Sequence, residues 1–354
     1  MPQIKVMVDD DSALVRRVVS RMLADNPDIE LAGTAANGLE ALEKVPEVKP
    51  DVIVLDVEMP VMDGLETLRR LMQTRPVPVV MLSALTRAGS RATLEALALG
   101  AVDFIPKPAN PAELSLVKSE LAAKIKTAAA VSLRNVIRRG GRPEQVLPVA
   151  GFKSSSEVHG RERRELVVIG CSTGGPAALQ EIIPSLPADL PACIVVVQHM
   201  PVGFTGVLAE HLGKLSSLIV RHANGGEPVS PGQVLIAPSG FDLYFSGRAG
   251  KAKVKLVAGN NPPVPGAFRP SVDKVMVSAA EFFGPKVLGV LLTGMGRDGA
   301  LGMQEIKRNK GLTIAEAEES CVVFGMPKAA IELGAVDKVV PLKEIAREIV
   351  NKLQ

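Results

Sequence analysis

Gly170-Cys171-Ser172-Thr173-Gly174-Gly175 is the segment best suited to covalent chemistry, because it places a serine in G-x-S-x-G spacing. Glycines on both sides permit a tight strand-to-helix turn, which would present the Ser172 hydroxyl beside a helix N-terminus. Backbone N–H groups and the helix dipole favour developing negative charge there. A serine needs a base, and the chain has four histidines. His199 follows the apolar run Cys193 to Val197 and so shares the rim of Ser172. His159 sits in a low-order stretch, His211 in a helical pattern, and His222 after a short β-like run, where it is the weaker alternative. Asp298, in the glycine-rich run Thr293 to Gly299, follows the apolar run Val287 to Leu292. From there it can fix the His199 tautomer and stabilise its charged form. Each group alone has a plainer reading. Gly/Ser loops often only turn or bind phosphate, a loop histidine can merely satisfy the loop, and Asp298 can cap a helix starting near Gly299. Three such groups on three strand ends carry the argument. Cys171 is a rival nucleophile, but an adjacent residue points elsewhere, and buried cysteine packs as a small hydrophobe.

A second set of reactive residues lies nearer the N-terminus. Asp10 and Asp11 follow the run Ile4 to Val8, Asp56 follows Asp51 to Leu55, Ser83 follows Val77 to Leu82, and Lys107 follows Val102 to Ile105. Three carboxylates at one edge repel each other unless a hard cation sits among them, and an all-oxygen donor set suits Mg²⁺. Asp56 can then accept a phosphoryl group as an aspartyl phosphate. Lys107 would neutralise a phosphate oxygen and Ser83 would donate to one. The Lys107-Pro108 bond is a candidate cis peptide. Any one of these aspartates is better read as a cap or turn residue; five positions at four strand ends are not.

Both sets require strands whose carboxyl ends converge on one edge, and the hydropathy pattern supplies them. Short β-rich runs alternate with helical stretches such as Ala13 to Leu23 and Gly64 to Met72, which implies a parallel sheet with right-handed crossovers. Between about Ala122 and Arg164 that rhythm fails amid glycine, proline and a serine run, marking a linker entered by the tail of a helix. From Glu165 the alternation resumes, with strands at Leu166 to Ile169, Cys193 to Val197, Val234 to Ile236, Val287 to Leu292, Leu312 to Ala315 and Val336 to Val340, and helices such as Ala177 to Ile183 and Gly299 to Asn309. The expected fold is therefore α/β: a doubly wound domain over 1–121, a linker over 122–164, and a second, mostly parallel α/β domain over 165–354.

The bulk composition agrees with two globular domains: 354 residues, 47% hydrophobic and 22% charged. Tryptophan is absent, so cores must be aliphatic and base-stacking surfaces are not expected. The formal charge is +3, yet residues 134–164 alone carry +5, which leaves the remainder at −2. A run like this could contact nucleic acid or anionic lipid, but a solvated linker is the favoured reading, and no helical reader follows it. Three cysteines at unmatched spacing fit neither a disulfide frame nor a zinc site. With no signal segment and no apolar run near the ~20 residues that span a bilayer, a cytoplasmic protein without membrane insertion is expected.

The N-terminal residues, with Pro60-Val61-Met62-Asp63-Gly64 and Gly100-Ala101-Val102-Asp103-Phe104, closely resemble the response-regulator receiver family. That resemblance implies a (βα)5 receiver, phosphotransfer from a histidine kinase, and Ser83 with Phe104 as a switch pair drawn inward by phosphate. Asp9 departs from the pattern, since an apolar residue is common there, while Ser12-Ala13-Leu14-Val15-Arg16 favours Asp10 and Asp11 as the acidic pair.

Chain order in the second domain is Ser172, His199, Asp298, unlike the serine, acid, histidine order of α/β-hydrolases. The domain resembles the chemotaxis methylesterase family CheB instead, on Ile169 to Gly175, Gln198-His199-Met200-Pro201, Arg269-Pro270-Ser271-Val272-Asp273, Leu292 to Gly299 and Phe324-Gly325-Met326-Pro327. The resemblance implies Ser172 as nucleophile, His199 as base, Asp298 as its partner, and an oxyanion region near Thr173 and Met295. It also implies demethylation of glutamate methyl esters, and deamidation of glutamines, on methyl-accepting chemotaxis receptors, with no cofactor for hydrolysis. The unphosphorylated receiver is expected to obstruct the Ser172 rim. At Asp242 the family often has histidine. A non-enzymatic adaptor and a nucleic-acid-binding regulator are the rival readings.

Overall fold

The structure, a computed structural model, describes residues 2–84, 86–107, 114–132, 164–248, 250–259 and 268–354. The chain divides into two compact units, and the division falls within 133–163, outside the described residues. Most of the expected linker therefore also lies outside the described residues, and so, in the separate segment 108–113, does Pro108 of the bond expected to be cis.

In the N-terminal unit, strands β1 (Ile4–Asp9), β2 (Ile29–Ala35), β3 (Val52–Asp56), β4 (Val79–Ser83) and β5 (Asp103–Pro106) alternate with helices α1 (Ala13–Ala24), α2 (Gly38–Val48), α3 (Gly64–Thr74), α4 (Arg87–Leu99) and α5 (Leu114–Ala130). All pairings are parallel, in the order β2-β1-β3-β4-β5. Helices cover both faces, so β3 and β4 are buried at every residue and read as continuous apolar runs. The edge strand β2 was not among the strands expected. Glu30 and Leu31 are exposed and the next three residues are half-buried, so its sequence lacks the buried run that marks the others. The order reverses between β1 and β3, and loops diverge there into a crevice. Local chemistry fixes the helix starts: Ser12 accepts from Val15 N, and Asp63 from Glu66 N.

The C-terminal unit holds β6 (Leu166–Cys171), α6 (Gly175–Ser185), β7 (Cys193–Gln198), α7 (Phe204–Leu215), β8 (Ile219–His222), β9 (Gln233–Ile236), β10 (Phe241–Arg248), β11 (Lys251–Ala258), α8 (Val272–Phe283), β12 (Val287–Leu291), α9 (Ala300–Arg308), β13 (Leu312–Glu316), α10 (Met326–Glu332), β14 (Lys338–Val340) and α11 (Leu342–Leu353). Seven strands form a parallel sheet in the order β14-β13-β12-β6-β7-β9-β8, while β10 and β11 make a separate antiparallel hairpin. The hairpin was not expected, because its alternation of Lys251, Lys253 and Lys255 with apolar residues is a half-buried pattern rather than a buried run. The core is aliphatic, with Met276, Met303 and Met326 filling space between helices and sheet. Each fully buried Val, Ile, Leu or Met of this core, on strand or helix, contributes about 1.5–3 kcal/mol.

Candidate active site

The second sheet reverses order between β12 and β6, so the loops after those strands part above the sheet. Ser172 follows β6, the loop Thr293 to Asp298 follows β12, and His199 follows β7 on the other side of β6. Backbone bonds carry the ladder past the strand ends: Leu292 N donates to Gly170 O (2.9 Å), Ser172 N to Thr293 O (3.1 Å) and His199 N to Cys171 O (3.1 Å). These bonds hold the three loops at one level. Two glycines permit the approach. A Cβ on Gly170 would lie 2.3 Å from Val272 Cγ1, and one on Gly294 would lie 2.9 Å from Ser172 Cβ and 2.2 Å from Met326 Sδ.

His199 Nε2 meets Asp298 Oδ2 at 2.9 Å, with the ring almost fully buried. The remaining capacity of Asp298 is taken up at the N-terminus of α8: Val272 N donates to Oδ2 (2.7 Å), and Asp273 N (2.9 Å) and Ser271 Oγ (3.0 Å) donate to Oδ1. Asp298 thus caps α8, not the helix that follows it. Asp273 reciprocates, its Oδ1 accepting from Gly299 N (2.8 Å) and Gly302 N (2.7 Å) at the start of α9. Burial alone would raise the Asp298 pKa, but the His199 ring and the Asp273 and Val272 amides outweigh it and hold the carboxyl below its ordinary value. Asp273 moves the other way. Burial raises its pKa and the neighbouring Asp298 adds to that, against the two amides it caps. The pair therefore divides its roles: an ionised carboxylate faces the histidine and a less acidic one pins the loop behind it.

Ser172 is half-buried and held by its backbone, its carbonyl accepting from Gly175 N (2.8 Å) and Gln198 Nε2 (3.0 Å). His199 Nδ1 is buried and has no hydrogen-bond partner among the described residues, so the ring and the Ser172 hydroxyl are not bonded to each other in this structure. With Nε2 donating to Asp298, Nδ1 carries the lone pair available to a serine proton. Thr173 is buried with its carbonyl accepting from Thr293 Oγ1 (3.0 Å), and Met295 stands exposed beyond Gly294. Cys171 faces the interior 3.9 Å from Val197 O, where burial pushes its thiol pKa up, so it is not a thiolate at neutral pH.

Sequence reasoning passed over four contributors. Phe268 stacks on the His199 ring at 4.0 Å between centroids and 8° between planes. Gln198 bridges the Ser172 and His199 carbonyls (3.0 and 2.9 Å), and a Cβ on Gly175 would strike its Oε1 at 2.1 Å. Ser271 and Asp273 brace Asp298 as described. Gln198, Ser271 and Asp273 stand within the motifs that carry the resemblance, and Phe268 directly precedes one of them, but nothing in their types named the role. Of the other histidines, His222 is bonded to Thr205 Oγ1 (3.0 Å) and His211 to Gln180 Oε1 (3.1 Å), while His159 lies outside the described residues.

In the N-terminal unit, carboxylate oxygens of Asp10, Asp11 and Asp56 lie within 4.8 Å of one another. Lys107 Nζ lies 2.8 Å from Asp10 Oδ2 and 2.7 Å from Asp56 Oδ2. Burial, with Asp10 adding to it against Lys107, pushes the Asp56 pKa up to about 6. Burial works against the Lys107 charge, but the two carboxylates prevail and raise its pKa. Asp9 stands outside this cluster. Ser83 is fully buried and accepts from Thr93 Oγ1 (2.7 Å) on α4. Phe104, the other residue of the expected switch pair, is buried at 2% exposure, with the Lys124 ammonium 5.3 Å from its ring and bonded to its carbonyl (2.6 Å).

Two family models match the chain, CheB methylesterase over residues 167–349 and response regulator receiver domain over residues 6–117. The protein-glutamate methylesterase/protein-glutamine glutaminase 1 of Carboxydothermus hydrogenoformans is 48% identical over 352 residues, covering 99% of each chain. The protein-glutamate methylesterase/protein-glutamine glutaminase of Archaeoglobus fulgidus is 49% identical over 351 residues, covering 99% of this chain and 98% of its own. Among solved structures, the Thermotoga maritima CheB methylesterase catalytic domain matches with a TM-score of 0.51 and 46% identity, over 53% of this chain and 98% of its own.

Proposed function

Because the chain belongs to the CheB methylesterase family, we propose that it hydrolyses γ-methyl esters of glutamate, and γ-amides of glutamine, on methyl-accepting chemotaxis receptors in the cytoplasm. Ser172 Oγ attacks the γ-carbonyl carbon while His199 Nδ1 takes its proton. The tetrahedral oxyanion forms at the N-terminus of α6, between Thr173 and the Gly294–Met295 segment of the loop after β12. Its collapse breaks the ester C–O bond, and His199 returns the proton to the departing methoxide, giving methanol; an amide gives ammonia. Water, deprotonated by the same ring, then hydrolyses the acyl-serine to glutamate and restores Ser172. Asp298 keeps the histidine proton on Nε2 and stabilises the imidazolium of each step.

The observation that carries this reading is the buried His199–Asp298 pair with Nδ1 left open one strand end from Ser172. Methanol release from methylated receptor tests it. Ser172→Ala should abolish turnover and Cys171→Ala should retain it; the reverse result transfers the nucleophile to the cysteine.

The receiver unit supplies control. Its cluster is all oxygen, with two of three carboxylates buried beside one ammonium, a donor set that fits Mg²⁺. Bound to Asp10, Asp11 and Asp56, the ion would offset charge on a phosphoryl group arriving from a histidine kinase. Asp56 accepts that group, Lys107 binds one of its oxygens, and Ser83 leaves Thr93 to donate to another. The resulting shift relieves inhibition of the esterase. A chain beginning at Glu165 should therefore exceed the unphosphorylated full chain in activity; equal rates would remove this model.

A further inference from the structure

The solvent face of the β10–β11 hairpin carries a run of cations that the esterase chemistry does not use. The register pairs Arg248 with Lys251, Ser246 with Lys253, Tyr244 with Lys255 and Asp242 with Val257, and directly paired residues share a face. The inner face, with Leu243, Phe245, Ala252 and Val254, is buried. On the outer face Arg248, Lys251, Lys253 and Lys255 are all exposed, and none has an ion-pair partner among the described residues. Lysines often blunt an open strand edge. Here the edge is already occupied, since Gly226 N donates to Val254 O (2.7 Å), Val254 N to Glu227 O (2.9 Å) and Val229 N to Ala252 O (2.9 Å).

The cationic face leads to the catalytic rim. Asp242, the one acid of outward parity, is covered by Lys274 Nζ at 2.8 Å and Arg269 Nε at 3.8 Å, which extend the row. A Cβ on Gly259 would fall 1.0 Å from an Arg269 guanidinium nitrogen, so that side chain lies across the end of β11. Arg269 directly follows Phe268, the residue stacked on His199, and its carbonyl accepts from Gly240 N (3.1 Å). The eight residues of β10 span about 23 Å at a strand's rise, which equals about 15 residues of α-helix. Outward lysines recur every ~7 Å, close to the ~6 Å between acids four apart on a helix.

We propose that this face of the hairpin is the docking surface for a glutamate-rich helical segment of the substrate, laid alongside β11 so that an esterified glutamate reaches Ser172. The inference rests on the esterase reading for its partner. Attraction of this kind raises the association rate and is screened by salt, so it should appear in kcat/KM more than in kcat.

Full-length Lys251→Glu/Lys253→Glu/Lys255→Glu and its Gln counterpart are compared with wild type on a methylated receptor cytoplasmic fragment and on a small neutral glutamyl γ-methyl ester. Binding of the fragment is measured separately in a Ser172→Ala background. Charge reversal should lower kcat/KM on the fragment by about tenfold or more at low salt, flatten its salt dependence, weaken binding in parallel, and leave the small ester unchanged. The Gln variant should fall between. Release of methanol from the fragment at an unaltered rate after charge reversal removes the surface and keeps the esterase. Hairpin-dependent binding without any methanol release keeps the surface and removes the esterase. Binding to anionic phospholipid vesicles but not to the fragment reassigns the face to a membrane and overturns the proposal.

Discussion

Replacing Asp9 with valine should stabilise the receiver unit in a way that depends on pH. Asp9 lies at the end of β1, paired with Ala35 of β2 and Leu55 of β3, with no exposed surface. Among the described residues, neither carboxylate oxygen has a partner at full hydrogen-bond geometry, and the Ala35 amide is its only backbone contact of note. Burial pushes its pKa from 3.8 to about 8, with Glu40 adding to the shift; the Ala35 amide and the Lys44 ammonium offset part of it. Between those two pH values the folded protein holds a proton that the unfolded chain has released. Stability is thus complete below the unfolded value and falls as pH rises toward the folded one. At about 1.4 kcal/mol per pH unit, the cost at pH 7 approaches roughly 4 kcal/mol, a large share of a domain's 5–15 kcal/mol. Asp9→Val removes that term and adds buried methyl groups. Its gain over wild type should be about 4 kcal/mol larger at pH 8 than at pH 5. The chain lacks tryptophan and its single tyrosine, Tyr244, is in the other unit, so unfolding is best followed by urea-dependent hydrogen exchange of the β1 and β3 peptides. A gain equal at both pH values would show that Asp9 ionises normally in the fold and refute the reasoning.

Asp298→Asn should lower kcat on methylated receptor by about 10⁴, because an amide aimed at Nε2 moves the ring proton to Nδ1 and removes the base; a pH–rate profile with wild-type amplitude would contradict it. The wild-type carboxyl, held below its ordinary pKa, contributes stability above the unfolded value that is lost as pH falls through the folded value. Urea midpoints for this variant should show correspondingly less loss on acidification. Asp273→Asn keeps an acceptor for both Gly299 N and Gly302 N, which share one oxygen, and removes only charge. It should leave the fold intact and move the acidic limb of kcat/KM to lower pH. Asp273→Ala should instead cost about 1–2 kcal/mol and reduce kcat.

The sequence spoke most clearly where a side chain's role follows from its strand. Ser172, His199, Asp10, Asp56 and Lys107 each follow the end of a buried apolar run, Asp298 lies in the loop that follows another, and each parallel sheet sends its own such ends to one edge. Edge strand β2 and the β10–β11 hairpin escaped because exposure breaks the buried run. Phe268, Ser271 and Asp273 escaped for a different reason: they act from the N-terminus of α8, whose position depends on Val272 lying against Gly170 and Gly299, residues far apart in the chain. That packing also accounts for the acid's strength. An aspartate capping its own helix would be steered by its local turn, whereas Asp298 lies at the N-terminus of another helix, which gives it two amides, a hydroxyl and the positive end of a dipole. The exchange of caps between α8 and α9 ties the β12 loop to a helix packed on β6. The carboxylate's orientation toward His199 is therefore set by core packing beneath Ser172, and a side chain at Gly170 should disturb the acid–base pair before it disturbs the serine.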